Sequence, residues 1–294
     1  MTTQRHHYVP QGYLRGFAAE KDSSRSFVWV YHKARDRAPR KKSVRSIAWA
    51  PAYYAQEHED GTKDPDSFET HMAKTIDNII PQILRSIAPQ VGQCVELSGD
   101  DKGALAFFVG FSLTRVPSFR DGINDIYTRI AQIELSHVLE ADRELKTFAE
   151  KYGVSASAKE WVSMRPMVEM AHAIATSALT KNWQFFIPPV DVPLITSDNP
   201  VVFSGKAAGL GKFVGPAHPH AELLMNLRKD LALVCTPIQG YPSTQVFQLT
   251  PSEARKFNRG VVGAARQRVF ADHYSEGFDA FVKKYAGKEQ RIIV

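Results

Sequence analysis

A chain of 294 residues with 44% hydrophobic and 23% charged side chains has the make-up of an ordinary globular protein, long enough for one large core or two smaller ones. No run approaches the roughly 18 uninterrupted apolar residues of a membrane span, the first residues lack the apolar stretch of a secretory signal, and two cysteines in unlike contexts, Cys94 and Cys235, exclude a disulfide framework or a cysteine-based zinc site. The expectation is a cytoplasmic protein without membrane contact, and the formal charge of +6 (37 basic against 31 acidic residues) favours anionic partners only where the excess is clustered.

In chain order, the first segment is dense in polar chemistry: His6-His7-Tyr8-Val9-Pro10-Gln11 followed by Tyr13, Arg15 and Phe17. Read as a strand, it sends His6, Tyr8 and Pro10 to one side and His7, Val9 and Gln11 to the other. Residues 26–31 alternate Phe, Val, Trp, Val and Tyr as a strand does, and 43–49 is its expected partner. Between them lies the basic run Lys33, Arg35, Arg37, Arg40, Lys41, Lys42 and Arg45, flanked by Trp29, Tyr31, Trp49, Tyr53 and Tyr54. Such a run is either a solvated hairpin tip or a grip for phosphates and bases.

Asp64-Pro65-Asp66-Ser67 ends the β pattern, and Phe68, Met72, Ile76, Ile79, Ile83 and Ile87 recur at helical spacing, with a bend expected at Pro81. Residues 98–116 are apolar on nearly every side, which predicts a buried helix carrying Arg115. Two more helical stretches follow over 121–152 and 158–181, the latter lined by Met164, Met167 and Met170 as core filler. From Trp183 short strands are expected at 183–187, 192–196, 201–203, 222–227, 231–237 and 244–250, then a helix over 251–266 and a strand over 268–271. The glycine-rich run 205–213 fails as a phosphate loop, because its glycine spacing is one residue too long and Phe213 stands where a hydroxyl is needed; it reads as a surface loop or lid. The sum is an α+β protein of one domain, with a central mixed or antiparallel sheet drawn from 1–65 and 183–294 and a helical block, 66–182, inserted between them.

The opening motif, the Asp66-Ser67-Phe68-Glu69 helix start and Ser197-Asp198-Asn199-Pro200, in that order, resemble a bacterial and phage-associated family classed as a domain of unknown function. Gly12 and Gly16 depart from that family's bulkier or polar residues. The resemblance implies membership and no reaction.

The chemistry is therefore read from side chains. His6 or His7 can act as base or metal ligand. Glu69 either closes an Asp66-x-x-Glu69 capping box or turns inward, where with Asp198 and a histidine it would offer the mixed ligands of magnesium or manganese. Arg115, too costly to bury alone, requires a carboxylate or a bound phosphate, and Arg15 has the same capacity. Gln11, Tyr13, Ser197 and Asn199 complete the candidate substrate contacts, although Ser197-Asp198-Asn199-Pro200 is also a good turn in its own right. A Ser197 nucleophile is disfavoured, since no Gly-x-Ser-x-Gly elbow surrounds it. Two functions follow: a metal-assisted phosphodiester hydrolase acting on nucleic acid or nucleotides, or a non-catalytic module binding a ligand or nucleic acid.

Overall fold

The computed structural model describes residues 5–19, 26–57, 60–205, 209 and 214–292. The N-terminal region contains β1 (Arg5–His7), the short helix α1 (Gln11–Leu14), β2 (Phe27–His32), β3 (Arg40–Ser43), β4 (Trp49–Pro51), β5 (Gln56–Glu57) and β6 (Lys63–Asp64). The helical block follows: α2 (Ser67–Met72), a π turn over Ala73–Asp77, α3 (Ile80–Ser86), α4 (Gly99–Thr114), α5 (Pro117–Ala141), α6 (Arg143–Tyr152) and α7 (Met164–Leu179). The C-terminal region is β7 (Asn182–Ile187), β8 (Thr196–Ser197), β9 (Val201–Ser204), β10 (Glu222–Arg228), β11 (Leu231–Thr236), β12 (Gln245–Gln248), α8 (Pro251–Ala264), β13 (Arg268–Ala271) and α9 (Glu276–Lys283). No helix among the described residues is long and apolar enough to cross a membrane.

The α+β class holds, and the strands divide between two main sheets rather than forming one. A five-stranded sheet in the order β12-β7-β11-β10-β9 comes entirely from the C-terminal region, with β12 parallel to β7 and the other pairs antiparallel. The two ends of the chain meet in an antiparallel four-stranded sheet, β3-β2-β13-β8. The glycine-rich run read as a lid lies outside the described residues apart from Gly205 and Gly209.

Local chemistry explains the better-defined ends. Ser98 accepts the Asp101 N–H at 3.0 Å and so caps α4, with Asp100 and Asp101 favourable against the positive end of the helix. Thr250 and Glu253 form a reciprocal capping box on α8. The buried helix α4 packs against α7, and Gly110 is the residue that lets them touch: a Cβ there would collide with the Ala171 carbonyl oxygen. Gly110→Ala should therefore cost about 1–3 kcal/mol, seen as a lower urea midpoint at unchanged slope. An unchanged midpoint would show that the two helices are free to move apart.

Several expectations are corrected. Across the loop β2 pairs with β3 rather than with the whole of residues 43–49; β3 is made of the basic residues themselves, which an edge strand carries easily because one side of it faces water. The helical run from Phe68 breaks at the π turn ending in Asp77, and Pro81 begins α3 rather than bending a continuous helix. Asp142 divides the 121–152 stretch by capping α6, accepting the N–H groups of Glu144 and Leu145. Helix α9 carries no sequence expectation.

Candidate functional site

β1 pairs with β4, placing His6 opposite Ala50 and His7 opposite Trp49, and the alternation of a strand sends the two imidazoles to different surroundings. His6 is buried against Tyr54, its ring stacked at 5.7 Å with Nδ1 accepting the Tyr54 N–H at 3.0 Å, and Nε2 lies 3.5 Å from Asp66 Oδ1. Burial lowers its pKa against the pull of Asp66. This histidine ties β1 to the segments beside it. Gln11 does not continue the strand: Pro10 starts α1, which brings the Gln11 amide back over His7 with Nε2 at 3.4 Å from the ring Nδ1. The other imidazole nitrogen of His7, Nε2, is buried and has no hydrogen-bond partner among the described residues. Burial lowers the pKa of His7, opposed by the Arg45 backbone and Asp77 and assisted by Arg5 and Arg115.

Around His7 three charged side chains converge from two helical segments. Arg115, at the C-terminal cap of α4, is fully buried; its Nη1 donates to both oxygens of Asp77 at 3.0 and 3.2 Å, while Nε and Nη2 have no hydrogen-bond partner among the described residues. Asp77 closes the π turn, a local widening of the helix that recurs at functional sites. Gly12 permits this arrangement, since a Cβ at that position would lie 2.5 Å from the Pro81 ring and 3.4 Å from the Asp77 carbonyl oxygen. Glu69 projects from the first turn of α2 toward the same place, and its pKa is pushed up to about 7 by burial and by Asp77, against Arg115 and the His7 backbone N–H. The Tyr54 hydroxyl, held far above its usual pKa by burial, donates to the His7 carbonyl oxygen at 3.4 Å.

The expected capping box is thus not formed. The Asp66 side chain makes no capping bond to α2, and Asp64 Oδ1 instead accepts the N–H groups of Asp66 and Ser67 at 3.2 and 3.0 Å. Glu69 is freed for the interior.

The second motif serves the fold. The Asp198 carboxylate accepts three backbone N–H bonds, from Arg266, Gln267 and Arg268, each at 2.9 Å. Burial pushes its pKa up, against Arg268 and these N–H groups. Ser197 exchanges bonds with the Asn199 backbone, and Asn199 Nδ2 donates to the carbonyl oxygens of Ala264 and Gln290. Tyr13 is also structural, its hydroxyl joined to Thr196 Oγ1 at 2.8 Å and the Asn226 carbonyl at 2.6 Å. The two motifs do meet in space: Tyr13 reaches Thr196, and Tyr8 accepts from Arg268 Nη2 at 2.7 Å. What they share is a packed seam. Arg15 is exposed just beyond α1.

The ligand set expected for magnesium or manganese does not assemble. Asp198 is committed to backbone donors, both Asp77 oxygens accept from Arg115, and no three of His, Cys, Asp and Glu gather closely enough to hold a metal ion among the described residues. Asp77 and Tyr54 are the members of the cluster that sequence reasoning passed over. The demand of buried Arg115 for a carboxylate was the available signal, but its partner lies 38 residues away.

Of the basic run, Lys33 is buried and donates to the Ala265 and Lys288 carbonyl oxygens. Arg40, Lys41 and Lys42 are exposed on β3, the Arg45 backbone reaches His7, and Arg5 lies over the Trp49 ring at 4.6 Å. No curated protein and no solved structure matches the chain. The family model DUF4238, described as a protein of unknown function, matches residues 5–275, and the chain belongs to that family.

Proposed function

We propose that the protein is a phosphodiester hydrolase of nucleic acid, acting on RNA through acid–base chemistry at His7 and Glu69, with Arg115 countering phosphate charge. The observation that carries this reading is the conjunction, in one cluster, of buried polar atoms on His7 and Arg115 that have no hydrogen-bond partner among the described residues with a half-buried carboxyl group whose pKa is pushed up to about 7. A buried guanidinium with idle donors recognises phosphate. The exposed basic residues of β3 supply attraction for a polyanion.

Because no three metal-ligating side chains come together among the described residues, this proposal draws its nucleophile from the substrate. A ribose 2′-hydroxyl next to the scissile phosphate attacks intramolecularly, which replaces much of the work of activating a water molecule. His7 takes the 2′-hydroxyl proton as the 2′-oxygen bonds to phosphorus. The bond from phosphorus to the 5′-oxygen breaks, and Glu69 protonates that leaving oxygen. The products are a 2′,3′-cyclic phosphate and a 5′-hydroxyl.

The pH dependence has a definite sign. His7 must be neutral, so kcat/KM rises with pH through a value below 6.5; Glu69 must be protonated, so it falls above about 7. A bell is expected, with its maximum between the lowered His7 value and about 7. The test is turnover of end-labelled RNA, single-stranded DNA and duplex DNA, with and without chelator. Cleavage of RNA alone, persisting in chelator and leaving cyclic-phosphate ends, supports the reading. Binding of RNA without cleavage of any substrate would replace it with the binding module.

A further inference from the structure

The helical hairpin of α5 and α6 is built for contact with something outside its own chain. α5 has 25 residues, yet its buried residues, Ser118, Phe119, Arg120 and Ile123, all lie in its first two turns, and α6 buries only Ala149. A two-helix arm with so little buried surface gains little from packing, which is where most helix stability arises.

The exposed side has a specific pattern. Phe119 and Ile123 are buried in the body of the protein, and the same seam continues along α5 as Ile126, Ile130 and Ile133, which are 36%, 50% and 54% exposed. Their spacing alternates four and three residues, the repeat of a coiled-coil seam. The opposite side of α5 is already covered. Thr128, Ala131, Leu135 and Leu139 are half-buried there, Thr128 Oγ1 accepts the Ala158 N–H at 3.0 Å, and Asn124 reaches the Glu160 carbonyl. The chain therefore packs one face of α5 itself and leaves the isoleucine seam open.

We propose that this seam joins a second copy of the same chain, with the two α5 helices side by side and parallel. Charge selects the occupant and the orientation. With Ile126 and Ile133 at one seam position and Ile130 at the other, Arg129 and Glu134 occupy the two flanking positions five residues apart. In a parallel pair these meet across the interface, Arg129 of each copy facing Glu134 of the other. Both side chains are exposed, and among the described residues neither has an ion pair within its own chain. The seam isoleucines Ile126, Ile130 and Ile133 are each a third or more exposed.

The test is the mass of the full chain in solution by sedimentation equilibrium. The expected mass is twice 32.9 kDa. Ile130→Glu with Ile133→Glu should give a monomer with unchanged far-UV circular dichroism. Arg129→Glu alone and Glu134→Arg alone should each weaken association, and the double exchange should restore it. A wild-type monomer at tens of micromolar, or an oligomer indifferent to the isoleucine changes, would overturn the proposal; failure of the double exchange to restore association would overturn its parallel register.

Discussion

Asp198→Ala should lower the stability of the protein by about 3–5 kcal/mol, one of the largest effects expected for a single substitution in this chain. The carboxylate receives the N–H groups of three consecutive residues, Arg266, Gln267 and Arg268, where the chain leaves α8 and enters β13. Each buried donor left without an acceptor costs roughly 1–3 kcal/mol, and β13 joins β2 to β8, so the damage falls on the sheet that unites the two ends of the chain. Asp198→Asn keeps one acceptor oxygen and should be intermediate. Urea unfolding reads both variants, and a loss below about 1 kcal/mol for alanine would show that water or a rearranged loop replaces the carboxylate. The same variants separate fold from chemistry. Whatever Asp198→Asn remains folded should keep the pH profile of the wild type, because no proton in the proposed reaction passes through it.

The second large effect is on turnover. Glu69→Gln and His7→Gln should each reduce kcat/KM on RNA by about 10²–10⁴-fold, the usual range for removing a general acid or base. Their stability should change little by comparison. Glu69 is a carboxyl with its pKa pushed up to about 7 beside Asp77 and Arg115, which an isosteric amide replaces without adding a charge. Arg115 is a poorer probe, because its removal strands the Asp77 carboxylate to which it is bonded. A Glu69→Gln variant with unchanged turnover would remove Glu69 from the reaction and leave its raised pKa as a consequence of burial alone.

What the sequence makes legible follows from what acts locally. The apolar helix at α4 and the cap at Ser98 are visible because periodicity and capping act within a few residues. The same holds for the strands at β7, β10, β11 and β13, whose apolar runs define them. The basic strand β3 is hidden, since Arg40, Lys41 and Lys42 have the composition of a loop and become a strand only through pairing with β2. The break at Asp77 is hidden too, because the apolar spacing around it runs on unbroken while the backbone widens to admit a partner from α4.

The site divides along the same line. That His6 and His7 would part company is a property of any strand, and it holds. Their surroundings differ through Tyr54, whose N–H binds His6 Nδ1, and through Gln11, which touches His7 only because α1 begins at Pro10. Glu69 has the spacing of a cap but loses that role to Asp64, two residues before the helix's first cap position. Asp198 has the look of a ligand at a strand end and is instead a backbone acceptor, with partners 68 to 70 residues away. Polar residues mark both places equally well in sequence; only their long-range partners tell an anchor from a reactive group.

The most direct test of the account is the pH profile of kcat/KM on RNA for the wild type beside Glu69→Gln. The account predicts a bell for the wild type, with a falling limb near pH 7 set by Glu69, and a much slower variant that has lost that limb while keeping the rise below pH 6.5 due to His7. A falling limb that survives unchanged in Glu69→Gln would contradict it, since the acid in the reaction would then be some other group.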